Sequence, residues 1–289
     1  MRVLITGGAG FIGQRLAGCL ASQGHQPIIY DIQEPRQSCE HIVGTVFDER
    51  LLQQEVITSD VVVHLVALPD VGECSRNPRE SFNLNVAALQ RVLDSCRNCV
   101  NKKLVFVSSA AVYGIPETLP ILEIAPLKPT DTYGHHKHVA EQMIQHYHHA
   151  YGLSFVILRV FNCYGRGVRG LFQRFVQAAR AGTTYRAFGT SQYRDFVYVG
   201  DVAETLCQAA ISDKATNKIF NIGSGRGTQI RDVLDMMFRE FPDANWIIEP
   251  APSIPYDSIA DISKARLLFD FEPHTGTEFM RQIFREEML

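Results

Sequence analysis

The stretch that most constrains this chain is Thr6-Gly7-Gly8-Ala9-Gly10-Phe11-Ile12-Gly13. It follows the apolar run Val3-Leu4-Ile5 and leads into a helical pattern with Leu16, Ala17, Leu20 and Ala21 on one face. A buried strand, a glycine-dense turn and a helix in that order leave the backbone little freedom. Positions without Cβ at Gly7, Gly10 and Gly13 permit the tight turn and let the chain approach a pyrophosphate. The N–H groups of Phe11 and Ile12 at the helix start, with the positive end of the dipole, can then hold the negative charge. The second strand, Pro27 to Tyr30, ends at Asp31, 18 residues after Gly13. A carboxylate there accepts hydrogen bonds from an adenosine ribose and repels a 2′-phosphate, so the pattern points to NAD rather than NADP. A glycine turn of purely structural use would not require the acid.

Further along, short apolar runs alternate with helical patterns. Strands are expected near 41–44, 60–67, 103–107 and 155–159, and helices near 49–57, 82–96 and 133–150, with a loop over 68–78. The run Val61-Val62-Val63 fits a parallel strand covered on both faces, and the alternation predicts an α/β, Rossmann-type doubly wound parallel sheet. Beyond Asn162 the pattern loosens. Helices near 170–181, 202–211 and 228–238, with a loop and strand over 189–198 and a strand near 220–222, suggest a smaller C-terminal substrate-binding lobe. The division is residues 1–165 for the dinucleotide domain and 166–289 mostly for the lobe, with later segments returning to the sheet. Phe279, Ile283 and Phe284 are spaced to cap that lobe.

Composition narrows the partners. Lys and Arg number 28 against 31 Asp and Glu, a balance without attraction for nucleic acid or an anionic membrane. No apolar run reaches 18 residues and the N-terminus opens directly on the first strand, which argues against a membrane span or signal peptide. The seven cysteines are scattered; Cys96 and Cys99, separated by two residues, form a lone pair with no second half of a metal site. They read as structural thiols in a reducing, cytoplasmic compartment. His135, His136, His138, His146, His148 and His149 crowd one helix without a completing acid or thiol, so they are expected on its solvent face and no metal is expected.

The chemistry concentrates on Ser109, Tyr133 and Lys137. Tyr133 and Lys137 lie four apart on one helix face, where the ammonium can favour the phenolate and hold a nicotinamide ribose. Ser109 ends the preceding strand and can hydrogen-bond the same substrate oxygen. Such a trio removes a proton from a carbinol as hydride leaves, or returns it in reverse.

The chain resembles the extended short-chain dehydrogenase/reductases of the NAD-dependent epimerase/dehydratase family. The resemblance rests on Thr6 to Gly13, Asp31, His64 to Ala67, Asn85, Ser108 to Gly114, Tyr133 to Lys137, Arg159 to Gly165, Gln192 to Asp201 and Asn221 to Gly225. It implies Tyr133 as acid/base, Lys137 as its helper and ribose ligand, and Ser109 as a substrate partner. It implies Leu65 and Ala67 beside the cofactor, Asn162 and Arg194 near a nucleotide-sugar diphosphate with Ala110 beside the sugar, and a homodimer through the 82–96 and 133–150 helices. Thr45 stands where family members carry an Asp that touches adenine, which passes that contact to Asp48 or Phe47. Pro250 and its neighbours stand where many 4-epimerases carry a second diphosphate arginine, so either Arg166 or Arg169 joins Arg194 as its substitute or the substrate is not a typical nucleotide diphosphate sugar.

Ala110 and Ala111 occupy the positions of the Asp-Glu pair of the family's sugar 4,6-dehydratases, and methyl groups cannot move protons. Together with Val71-Gly72-Glu73 they resemble nucleotide-sugar 4-epimerases, which oxidise C4 to a transient ketone and return hydride to the opposite face. A net NAD(P)(H)-dependent reductase or dehydrogenase of a keto-sugar would use the same trio, and a non-catalytic dinucleotide-binding regulator would have no use for it.

Overall fold

The computed structural model describes residues 1–36, 39–99, 101–167, 170–250 and 256–288. In chain order its strands are β1 (Arg2–Thr6), β2 (Gln26–Asp31), β3 (Glu40–Val43), β4 (Val61–His64), β5 (Lys103–Ser109), β6 (Ser154–Val160), β7 (Asn162–Tyr164), β8 (Tyr185–Phe188), β9 (Tyr193–Tyr198), β10 (Lys218–Ile222), β11 (Gly227–Gln229) and β12 (Trp246–Glu249). The α-helices are α1 (Phe11–Ser22), α2 (Glu49–Thr58), α3 (Val71–Arg76), α4 (Pro78–Phe82), α5 (Ala88–Arg97), α6 (Thr132–Tyr151), α7 (Leu171–Arg180), α8 (Val199–Ile211), α9 (Ile230–Glu240), α10 (Ser263–Phe269) and α11 (Thr277–Ile283).

Seven strands form one parallel sheet in the order β3-β2-β1-β4-β5-β6-β10. Side chains alternate across it, which explains the unbroken apolar runs. Val61 and Val63 pack on the face covered by Leu16 and Leu20 of α1 and Val202 and Leu206 of α8. Val62, Leu104 and Phe106 pack on the other, against Leu52 of α2, Leu89 and Val92 of α5, and Ile144 of α6. The strand order reverses between β1 and β4, so the loops after them border a crevice at the carboxyl edge of the sheet, where open α/β sheets receive ligands. β10 returns from beyond residue 165 to complete this sheet.

The smaller lobe contains a three-stranded sheet, β11-β9-β7, and the parallel pair β12-β8. Its core gathers Phe172 and Phe175 of α7, Val233 and Met237 of α9, and Ile283 and Phe284, with Phe279 packed against it. The C-terminal aromatic residues thus cap the lobe as their spacing predicts.

Several local expectations change. The strand expected to reach residue 67 leaves the ladder after His64. Leu65 N still donates to Thr6 O at 2.8 Å, but the chain then crosses the glycine turn, where a Cβ on Gly7 would lie 2.7 Å from Val66 N. The loop expected over 68–78 holds α3, whose N-cap Asp70 accepts from Glu73 N at 2.8 Å, a cap legible in Asp70-x-x-Glu73. The helix expected over 82–96 begins at Pro78 and passes through a π-turn at Asn83–Ala87. The histidines of α6 are not all on a solvent face: His136, His138 and His148 are half-buried, and His136 Nδ1 meets Ser81 Oγ at 2.8 Å. Of the polar stretch around Pro250, residues 251–255 lie outside the described residues.

Candidate active site

The glycine turn is specified by steric contact. Gly7 has φ of +73° and donates its N–H to Tyr30 O at 2.9 Å, joining the turn to β2. A Cβ on Gly13 would lie 2.5 Å from Gly8 Cα and O, so α1 can pack against the turn only with glycine there. Gly10, the N-cap of α1, offers no side-chain cap to the first-turn amides around Phe11 and Ile12. A bare, donor-rich helix end of this kind fits the pyrophosphate of a dinucleotide. Asp31, at the tip of β2, accepts from Ala9 N at 3.0 Å through Oδ2 and from Gln33 N at 3.0 Å through Oδ1. The acid predicted for the ribose therefore also ties the glycine turn to the second strand.

Leu65 and Ala67 lie half-buried in the segment crossing the turn. Asp48 is exposed and caps α2, accepting from Leu51 N at 3.1 Å, while Phe47 is 43% exposed beside it.

Ser109, Tyr133 and Lys137 are brought together at the tip of β5. Asp131 starts α6 by accepting Gly134 N at 2.8 Å, which directs Tyr133 and Lys137 over that tip. The half-buried Ser109 hydroxyl accepts from Ala111 N at 3.2 Å and stands beside the Tyr133 phenol. Lys137 is buried; its Nζ donates to Val107 O at 2.8 Å and stands 5.8 Å from the centre of the Tyr133 ring.

The electrostatics depart from the expectation that the ammonium lowers the phenol pKa. Burial drives the Tyr133 pKa up, with Cys74 and Asp131 adding to the rise and only the Ser109 hydrogen bond opposing it. Lys137 is itself pushed down to about 8 by burial, against the pull of Glu141 and Cys74.

Asn162 and Arg194 stand on adjacent strands of the smaller lobe. Asn162 Nδ2 donates to Asp195 O at 3.1 Å and pairs in register with Phe196, two residues beyond Arg194. Arg194 lies 4.6 Å from the Tyr256 ring centre and donates to the Tyr193 and Tyr256 carbonyls; burial holds its pKa down. Ala110 is half-buried, in the short 3-10 turn Ala110–Tyr113 after Ser109. Arg166 is exposed, with its carbonyl accepting from Arg15, and Arg169 lies outside the described residues. Among the described residues no group of three or more His, Cys, Asp or Glu is placed to hold a metal ion.

Four buried side chains around this cluster have no role assigned from the sequence, where Asn85 and Arg159 enter only through the family resemblance. Asn85, inside the π-turn, donates to Leu68 O at 3.2 Å and accepts from Leu68 N at 3.0 Å, anchoring the loop after β4. Cys74 reaches the same carbonyl from α3. Glu141, one turn beyond Lys137, forms a buried ion pair with Arg159 at 2.7 Å. The spacing of Tyr133, Lys137 and Glu141 at four-residue intervals was the available signal for Glu141.

Residues 3–223 match the model of the NAD dependent epimerase/dehydratase family. A putative UDP-glucose 4-epimerase of Methanocaldococcus jannaschii is 32% identical, over 92% of each chain. The crystal structure of UDP-glucose 4-epimerase from Brucella ovis in complex with NAD superposes with a TM-score of 0.89 at 30% identity, covering 98% of this chain and 96% of that one. The UDP-glucuronic acid 4-epimerase from Bacillus cereus, in complex with UDP-glucuronic acid and NAD, gives 0.88 at 26% identity and covers 99% and 98%.

Proposed function

The chain belongs to the NAD-dependent epimerase/dehydratase family, and on that premise we propose that it inverts C4 of a nucleotide diphosphate sugar through a transient 4-keto sugar. NAD is the cofactor, held by Gly7, Gly10, Phe11, Ile12, Gly13, Asp31 and Lys137, with Leu65 and Ala67 beside it and Asp48 at the adenine end. When bound, it takes up and gives back the C4 hydride. Tyr133 removes the C4 hydroxyl proton in the first half-reaction and returns it in the second, while Ser109 hydrogen-bonds the same oxygen. Lys137 supplies the positive charge that a buried phenolate needs. Asn162 and Arg194 bind the diphosphate, and Ala110 lines the sugar pocket.

The observation that carries this reading is Ser109 in reach of Tyr133, followed by Ala110 and Ala111 where a dehydrating enzyme needs proton-transfer groups. The exposure of Phe82 on α4 and of Val139 and Tyr151 on α6 supports the reading of a homodimer through these helices. All seven cysteines are free, which suits a cytoplasmic protein. No helix among the described residues is long and apolar enough to cross a membrane.

The test is to extract nucleotide from the purified protein and follow a panel of nucleotide sugars by NMR while recording absorbance at 340 nm. Conversion to a C4 epimer with NAD retained and no sustained absorbance change is expected, and Tyr133→Phe should abolish it. Stoichiometric production or consumption of NADH would replace this reading with a net dehydrogenase or reductase.

A further inference from the structure

We infer that Glu141 and Arg159 are positioning residues for the reaction: they bolt α6 to the tips of β5 and β6 so that Tyr133 is held opposite Ser109. This rests on the proposed acid/base role of Tyr133.

The helix is tied to the strand at three successive turns. Glu141 Oε1 accepts from Ser108 Oγ at 2.5 Å, Lys137 Nζ donates to Val107 O at 2.8 Å, and Tyr133 reaches Ser109. Residues 133, 137 and 141 therefore face residues 107 to 109, and a slide or roll of the helix would disturb all three contacts together. Arg159 is the register partner of Ser108 on the neighbouring strand. Its Nε and Nη2 grip both oxygens of Glu141 at 2.7 to 3.2 Å, the fork geometry that fixes orientation as well as distance. Glu141 is fully buried and Arg159 is 2% exposed.

Arg159 Nη1 also extends the bolt sideways. It donates to Tyr113 Oη at 2.9 Å and to Glu123 O at 2.9 Å, and Tyr113 in turn donates to Asn221 Oδ1 at 2.6 Å on β10. The site's helix, its serine-bearing strand, the turn holding Ala110 and the edge strand thus share one satisfied polar network. Stability alone is a poor reason to keep such a pair, because well-packed apolar side chains of similar volume often serve a core as well or better. Geometric specification at a site that reads small displacements is the better account.

The network also has an electrostatic signature. Lys137 is faced by Tyr133 and Glu141 from its own helix, by Cys74 from α3 and by His64 from β4, with Asp131 at the helix start and Arg159 behind Glu141. Glu141 supports the ammonium, so its loss should deprotonate Lys137 at lower pH.

The experiment compares wild type with Glu141→Met/Arg159→Met, which replaces both charges with apolar volume, and with Ser108→Ala, which removes one strut. For the double variant the expected result is full NAD content, KM within about threefold, kcat down about 100-fold and the alkaline limb of the kcat profile moved to lower pH. For Ser108→Ala, kcat should fall about tenfold with the fold intact. A folded double variant with wild-type kcat and pH profile overturns the proposal, and so does Ser108→Ala with wild-type kcat if the double variant does not fold. A wild type silent across the sugar panel refutes the epimerase reading instead. The bolt is then tested by ultraviolet titration of the Tyr133 phenol, taken as the difference from Tyr133→Phe in each background. An unchanged midpoint in the Ser108→Ala and double-variant backgrounds overturns it.

Discussion

Lys137 Nζ donates to Val107 O at 2.8 Å, two residues before Ser109, and the ammonium is buried there against the Phe106 ring. Burial holds its pKa at about 8, down from 10.5. The folded chain then releases the proton near pH 8 while the unfolded chain keeps it to 10.5, so the contribution of this group to stability rises with pH across that interval. Below it the folded protein carries a cost of about 3 kcal/mol. Lys137→Met should therefore raise the Tm at pH 7 by several degrees, and the gap should close toward pH 10.5 as wild type sheds the charge. Turnover should fall by at least about 100-fold. Thermal melts at pH 7 and 10 check the first part; a variant less stable than wild type at pH 7 would refute it.

The glycines of the turn should separate folding from cofactor binding. A methyl at Gly13 meets Gly8 Cα and O at 2.5 Å, with backbone on both sides and nothing able to yield. A methyl at Gly10 meets only Gly7 O at 3.2 Å, and the φ of −68° there suits any residue. Gly13→Ala is expected to lower the Tm sharply, by about 2 kcal/mol or more of strain. Gly10→Ala should melt like wild type yet lose NAD, because its methyl stands where the pyrophosphate must approach. Calorimetry with and without added NAD distinguishes the two; equal Tm losses would remove the distinction.

Asp31 has two duties at one carboxylate. It already accepts from Ala9 N and Gln33 N, and a carboxylate retains lone pairs for a ribose hydroxyl. Asp31→Ala removes both the loop tie and the ribose acceptor. It should weaken NAD binding by about 100-fold while narrowing the preference over NADP, since the charge that repels a 2′-phosphate is gone. Titration calorimetry with both dinucleotides measures this directly, and an unchanged NAD to NADP ratio would contradict the assignment.

How much of this was legible beforehand depended on how local the cause was. The glycine turn, Asp31 and the helix bearing Tyr133 and Lys137 are each written in one contiguous stretch, with period and spacing that admit few alternatives. Glu141 and Arg159 lie 18 residues apart on a helix and a strand, and their pairing follows only once β5 and β6 are adjacent. In the sequence Glu141 reads as an ordinary helix-face acid. The sign of the Tyr133 shift was missed for a related reason: spacing brings the ammonium near, but the depth of burial and the approach of Cys74 from α3 are tertiary facts. The π-turn at Asn85 and the β12-β8 pair likewise have no period that would announce them.

Asp195 offers a last test, beside Arg194 and away from the proton-transfer cluster. It is fully buried, and its oxygens are divided between two sets of donors. Oδ1 accepts from Ser224 N at 2.5 Å and Ser224 Oγ at 2.7 Å, whereas Oδ2 accepts from Gly225 N and Ala260 N, both at 3.0 Å. An asparagine can satisfy only one set. With the NH2 in place of Oδ2, Gly225 N and Ala260 N both lose their acceptor; with it in place of Oδ1, Ser224 N does, while the Ser224 hydroxyl can turn to accept. Asp195→Asn should cost about 3 kcal/mol, read as a fall in the denaturant midpoint with an unchanged slope. Because the carboxylate gathers the segments after β10 and before α10 against β9, the same variant should raise KM for the nucleotide sugar more than it lowers kcat. A variant with wild-type stability would mean that those backbone donors find other partners, and that the carboxylate is not what holds the strand of Arg194 in place.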